Sequence, residues 1–322
     1  MFENYCRQIM QPNRVKFNQS DLECGFPRQD FKLQGIQCTL YKCKITTQSC
    51  VLYLHGYNGS RLEIVPYASI ILQSGVDLCT FDFQAAGQSD GDFVTFGLNE
   101  QLNVILLVDY LSSKYQNIIL WGRSMGATTA LMYAIKYQNI TCIILDSPFY
   151  TLDDVILNLI KQKLHTPNLI NKGLLEILKR QIQQLYNFSI SSVKLPQILN
   201  SNCPMLLLAS KFDTLIPYHH FTNIFHSYQG QKHIINLYNN HNELRSKDIL
   251  STAIGFIQSN ITNTIQNNPS NRFIQDFQKH SYIPTGIKIK SKIMRNQSAV
   301  NPQKNSAILQ KNRALLQLSN ID

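Results

Sequence analysis

The feature that most limits what this chain can become is a regular alternation. Short, nearly continuous apolar runs take turns with longer stretches whose apolar residues recur every three or four positions. The runs lie at residues 50–56, 76–83, 118–121, 141–147, 203–210 and 232–238. Each suits one strand and leaves no polar face for water. The amphipathic stretches at 61–75, 98–115, 125–137, 218–228 and 243–257 read as helices. Strands apolar on both sides must be covered on both sides, and parallel crossovers are right-handed. The expected fold is α/β, a doubly wound, mostly parallel sheet. In the helix at 98–115, the spacing of Leu98, Leu102, Ile105 and Leu106 (i, i+4, i+7, i+8) predicts the buried face. Residues 31–45 alternate around Gly35 and read as a β-hairpin, while residues 1–30, with Pro12, Gly25 and Pro27, read as an irregular extension.

One segment breaks the rhythm. Residues 148–202 carry helical periodicity but add no strand. An insertion of this kind at a strand end forms a helical cap over the sheet, the alternative being helices packed on one face. The α/β domain then spans 31–260. Beyond it, residues 261–322 lose apolar period and hold nine Lys/Arg against two Asp/Glu, most of the net charge of +10. This tail reads as mostly disordered. Its stretch "IKIKSKIMR" offers a possible contact with an anionic membrane surface or RNA phosphates, against the plainer reading of a solvated tail; no specific nucleic-acid partner is expected.

None of the eight cysteines forms a C-x-x-C pair, which argues against zinc. No secretory leader or run of 18 apolar residues is visible, so a reducing, cytoplasmic setting is expected, with peripheral membrane contact as a variant. Cys6 is a candidate for acylation.

The run at 118–121 leads into Gly122-Arg123-Ser124-Met125-Gly126 and then into helix. This is G-x-S-x-G between strand and helix, the context in which a serine sits on a sharp turn with its hydroxyl above the sheet. The bland alternative is a helix N-cap. A nucleophilic serine needs a base, and the base needs an orienting carboxylate. Functional groups of open α/β sheets gather at the carboxyl ends of strands. Asp213 and His241 each follow a late strand, in the order Ser…Asp…His. Asp146 is the competing acid. His219 and His220 read as surface or cap residues; His165, His226, His233 and His280 lack a loop above the sheet, and Glu243 and Asp248 read as helix surface charges. Backbone N–H groups of Met125 and of Tyr57, in "HGYNGSR", are the candidate oxyanion donors, with His55 bracing that loop.

These residues resemble the α/β-hydrolase superfamily, in its serine aminopeptidase-like and acyl-protein thioesterase-like branch. The matching pieces are "LYLHGYNGSR", "FDFQAAGQSDG", "LWGRSMGA", "LDSPF", "ASKFDTLIP" and "HN" at His241, spread over about residues 30–258. The resemblance implies Ser124 as nucleophile, Asp213 as acid, His241 as base, and Tyr57 with Met125 at the oxyanion. One departure is visible: relatives carry D-x-x-G-x-G-x-S after the strand at 76–83, and Ala85 stands where the first glycine would be. The expected activity is cleavage of a carboxylic ester or thioester, from a small or lipidated acyl substrate, through an acyl-enzyme and without metal or organic cofactor. A peptidase and an inactive interaction protein are the alternatives.

Overall fold

The computed structural model describes residues 2–164 and 167–266. Eight strands form one sheet: β1 (Arg28–Leu33), β2 (Ile36–Tyr41), β3 (Ser49–Leu54), β4 (Asp77–Phe81), β5 (Asn117–Arg123), β6 (Cys142–Asp146), β7 (Met205–Ser210) and β8 (Lys232–Leu237). Their order across the sheet is β1-β2-β4-β3-β5-β6-β7-β8. β1 and β2 form the expected hairpin, and β2 pairs antiparallel with β4. From β4 to β8 every pairing is parallel, so all those carboxyl ends share one rim.

The helices are α1 (Phe2–Met10), α2 (Val65–Gln73), α3 (Glu100–Ser112), α4 (Met125–Lys136), α5 (Leu152–Leu164), α6 (Asn168–Tyr186), α7 (His219–Ser227) and α8 (Lys247–Gln266). Successive strand residues serve opposite faces. Leu52, Leu54, Leu120, Ile143 and Leu145 join the layer with α3, α4, α7 and the insertion. Val51, Tyr53, Ile119, Trp121 and Ile144 join the layer under α2 and α8. This division makes both faces of the central strands apolar.

Three elements differ from the sequence reading. The N-terminal extension is not irregular: α1 packs on α6 and buries Cys6 and Met10 completely. Two core residues spaced i, i+4 in a nine-residue helix give too short a period to read. Burial also pushes the Cys6 thiol up, so the thiolate that acylation needs is scarce and covered. In α3 the buried residues include Val104, Leu107, Val108 and Leu111 beside Ile105, while Leu98 and Leu102 are exposed. The helix starts at Glu100, whose buried carboxylate accepts the Thr95 and Gly97 N–H groups and the Thr95 hydroxyl. That anchor sets the rotation of the helix. Finally, α8 starts at Lys247 and runs to Gln266, because Ile257 and Ile261 extend the core stripe begun by Leu250 and Ile254. The tail reading, with its membrane contact, falls on residues 267–322, outside those described.

The insertion forms a helical hairpin of α5 and α6 above the rim. Thr151 bridges Lys194, and Asn158 of α5 donates to the carbonyls of Thr214 and Leu215 at 2.7 and 3.0 Å. No helix among the described residues is long and apolar enough to cross a membrane.

Candidate active site

β5 passes directly into α4 through Ser124, held at φ 52° and ψ −117°. An L-residue adopts such a backbone only when its surroundings impose it. Here they do. A Cβ at Gly126 would lie 2.1 Å from the Leu54 carbonyl oxygen, and one at Gly122 would lie 2.4 Å from the Gly126 carbonyl oxygen. The flanking glycines therefore let helix and strand approach, and the serine absorbs the turn. Its N–H is fixed by the Asp146 carbonyl at 2.8 Å. Met125 is the first residue of α4, so helix geometry gives its amide no internal acceptor.

The three candidate side chains converge at this point. His241 Nδ1 lies 2.6 Å from Asp213 Oδ2, and His241 Nε2 lies 3.0 Å from Ser124 Oγ. A carboxylate only accepts, so Nδ1 carries the proton and Nε2 faces the hydroxyl with a lone pair. The other oxygen of Asp213 accepts the N–H groups of Leu215 and Ile216 at 2.9 and 2.7 Å. Asp213 and His241 are buried, and Ser124 keeps 9% of its surface accessible.

Gly56 lies over the nucleophile: a Cβ there would sit 3.6 Å from that of Ser124. Beside it, the Tyr57 ring stacks on Phe96, and its hydroxyl donates to the Gln8 carbonyl of α1 at 2.8 Å. His55 braces the loop as expected. Its Nε2 accepts the Phe83 N–H at 2.9 Å, so its Nδ1 donates to the Gly56 carbonyl at 2.6 Å.

Three residues that sequence reasoning missed hold this arrangement. Glu63 accepts from the Gly56 N–H, the Tyr53 hydroxyl and Arg123. Arg123 in turn donates to the His241 carbonyl and to Asn242 Oδ1, both at 2.9 Å. The loop over the serine is thus tied to the loop of the histidine. Arg245, almost fully buried, grips Asp146 with two nitrogens at 2.7 and 2.8 Å and reaches the carbonyls of Asn240 and Glu243. Asp146 is therefore a structural anchor rather than the acid that orients His241. A single charged residue in a loop has no periodicity to betray it; only the x of G-x-S-x-G marked Arg123.

His220 corrects a second expectation. It is fully buried, and its Nδ1 accepts the Tyr150 N–H at 3.0 Å. Burial, reinforced by the adjacent His219, pushes it down to about 4. Asp154, His219 and His220 place one ligand-type atom each within 4.8 Å of one another. The Tyr150 bond puts the remaining hydrogen of His220 on Nε2, so that nitrogen is a donor and not a metal ligand.

In the loop after β4, Asp82 accepts the N–H groups of Arg61 and Gln88 at 2.7 and 2.8 Å. Ala85, the residue that departs from the family pattern, is held at φ 63°, a conformation that costs a glycine nothing.

The pattern of the family described as "Serine aminopeptidase, S33" matches residues 46–201. The described fold overlays an esterase of Pyrococcus furiosus with a TM-score of 0.60 at 21% identity, covering 78% of this chain and 98% of that one. The chain has the α/β-hydrolase fold. Mouse alpha/beta hydrolase domain-containing protein 10 overlays with a TM-score of 0.52 at 19% identity, covering 74% of this chain and 99% of that one. By sequence, protein YqkD of Bacillus subtilis is 24% identical over 192 residues, which are 58% of this chain and 62% of YqkD. An Escherichia coli protein of the traX-finO intergenic region is 29% identical over 100 residues, 29% of this chain and 35% of its own length. The chain thus spans less than two thirds of either curated relative.

Proposed function

We propose that this α/β-hydrolase is a serine hydrolase that cleaves a carboxylic ester or thioester. The observation that carries the reading is the Asp213–His241–Ser124 chain of contacts at 2.6 and 3.0 Å. His241 takes the Ser124 proton as the oxygen attacks the substrate carbonyl, and Asp213 stabilises the imidazolium. The amides of Tyr57 and Met125 receive the oxyanion. His241 then protonates the leaving alkoxide or thiolate, and water, activated by the same imidazole, releases the acid from the acyl-enzyme.

The family description names an aminopeptidase, and an aminopeptidase needs a free carboxylate for the substrate ammonium. Glu63, the carboxylate packed beside Gly56, is already committed to Arg123, Tyr53 and the Gly56 amide. Glu63 is therefore not free for that role. The solved structures similar to this chain include Est1E of Butyrivibrio proteoclasticus with ferulic acid bound, at 16% identity and a TM-score of 0.53, covering 74% of this chain and 99% of that one.

The test is covalent labelling by an alkyl fluorophosphonate, together with turnover of p-nitrophenyl esters of increasing chain length. Both are expected in the wild type, and Ser124→Ala is expected to abolish labelling and lower turnover on the order of 10⁴-fold or more. Undiminished labelling of the alanine variant overturns the reading.

A further inference from the structure

The outer end of the cap hairpin carries what a folded surface usually hides. Leu169 is 83% exposed, and Leu164 and Ile170 are about half exposed. All three belong to the end of α5 and the first turn of α6, which puts them at one end of the hairpin. Lys161, Lys163 and Lys172 surround them, all exposed. No Asp or Glu occurs between Asp154 and Glu176.

The loop of the candidate acid, which α5 also holds, carries a second exposed apolar group beside a lysine. Gln162, two residues before Leu164, donates to the Thr214 carbonyl, so the last turns of α5 lie against that loop. Phe212 of this loop is 59% exposed, with its ring 5.9 Å from that of the 67%-exposed Tyr238. The Lys211 ammonium lies 5.1 Å from the centre of the Tyr238 ring. Leucine, isoleucine and aromatic side chains ringed by lysines are the composition of a surface that sinks partly into a headgroup layer.

We propose that this face, from the cap end to the Phe212–Tyr238 pair, docks on an anionic phospholipid bilayer. Charge decides against the chain's own C-terminal segment as the cover. Residues 267–322 hold nine Lys/Arg and two Asp/Glu, and would be repelled by the lysines. The same argument disfavours a second copy placed cap to cap. Docked this way, the bilayer meets the molecule within six residues of Asn158, a rise of about 9 Å along α5 from the side chain that holds the Asp213 loop. That acyl lipids of the bilayer are the substrate class rests on the hydrolase reading above; the docking does not.

The experiment is sedimentation of the full chain with phosphatidylcholine vesicles, with and without phosphatidylserine, using the Ser124→Ala background so that no lipid is consumed. Binding is expected only with phosphatidylserine, and to weaken as salt is raised. Leu169→Glu/Ile170→Glu and Lys161→Glu/Lys163→Glu are each expected to lower partitioning by roughly tenfold or more. In the Ser124 background both pairs keep the wild-type circular dichroism and turn over a soluble acetate ester unchanged, which separates failure of docking from failure of the hydrolase reading. No binding by the parent chain, or equal binding by both variants (the outcome if the C-terminal segment carries the contact), overturns the proposal. So does a concentration-dependent dimer, seen by light scattering, that the variants abolish.

Discussion

Along the carboxyl rim of the sheet, the charged side chains around Ser124 are answered one by one. Asp213 meets two amides and an imidazole, Asp146 meets a two-pronged arginine, and Glu63 meets an amide, a hydroxyl and an arginine. At the outer end of the cap the lysines stand in water and the leucines have little to pack on. The first region is over-determined and its geometry is fixed to within a hydrogen bond. The second is left open to whatever it meets. Chemistry on an acyl group needs the first kind of surface, and recognition of a fluid partner is served by the second.

The contrast can be broken most forcefully at Arg245. Arg245→Leu leaves Asp146 charged and buried, with the Ser147 hydroxyl in place of a counter-charge, and should cost about 3–5 kcal/mol of unfolding free energy in urea titrations. A loss below 1 kcal/mol would mean that the rim is less constrained than its hydrogen bonds indicate.

Acid is the next lever, acting through His220. Its folded pKa is about 4, against 6.5 for the free side chain. The unfolded chain therefore binds the extra proton first. The contribution is complete above about pH 6.5, is lost as pH falls towards 4, and amounts to on the order of 3 kcal/mol. Stability measured at pH 7 and at pH 4.5 should differ less in His220→Gln than in the wild type. Its neighbours His219, Asp154 and Asp213 remain in both proteins, so the difference isolates the one imidazole.

A smaller effect sharpens the comparison at the link between the two loops. Glu63→Gln weakens the tie to Arg123, and should lower kcat roughly tenfold while KM and the melting temperature stay nearly constant. An equal rise in KM would instead assign Glu63 to substrate binding. At the cap, Leu169→Ser is expected to change stability by less than about 0.5 kcal/mol, a null result that only an unsupported surface gives.

The sheet and the convergence of Ser124, Asp213 and His241 were legible because each of these residues lies just past a run of strand-forming residues, and strand ends of a parallel sheet meet on one rim. The cap was legible as a helical interruption that supplied no strand. What the sequence hid has a common physical character. Glu63, Arg123 and Arg245 act through side-chain contacts spanning up to 119 residues of chain, and no local pattern records a partner that distant. Leu98 and Leu102 misled because helix rotation follows the anchored Glu100, not the count of leucines. In α1, the fixed pair Cys6 and Met10 was too short a signal to stand out from the polar residues between them.

That first helix has a consequence for how the molecule is assembled. Its contacts are the Tyr57 hydroxyl on Gln8, the Val94 amide on Met10, and α6, whose residues begin at Asn168. This helix therefore finds its last neighbour only after the chain has been made at least as far as Asn168. It closes over an already formed body, like a latch that can be thrown only once the door is hung.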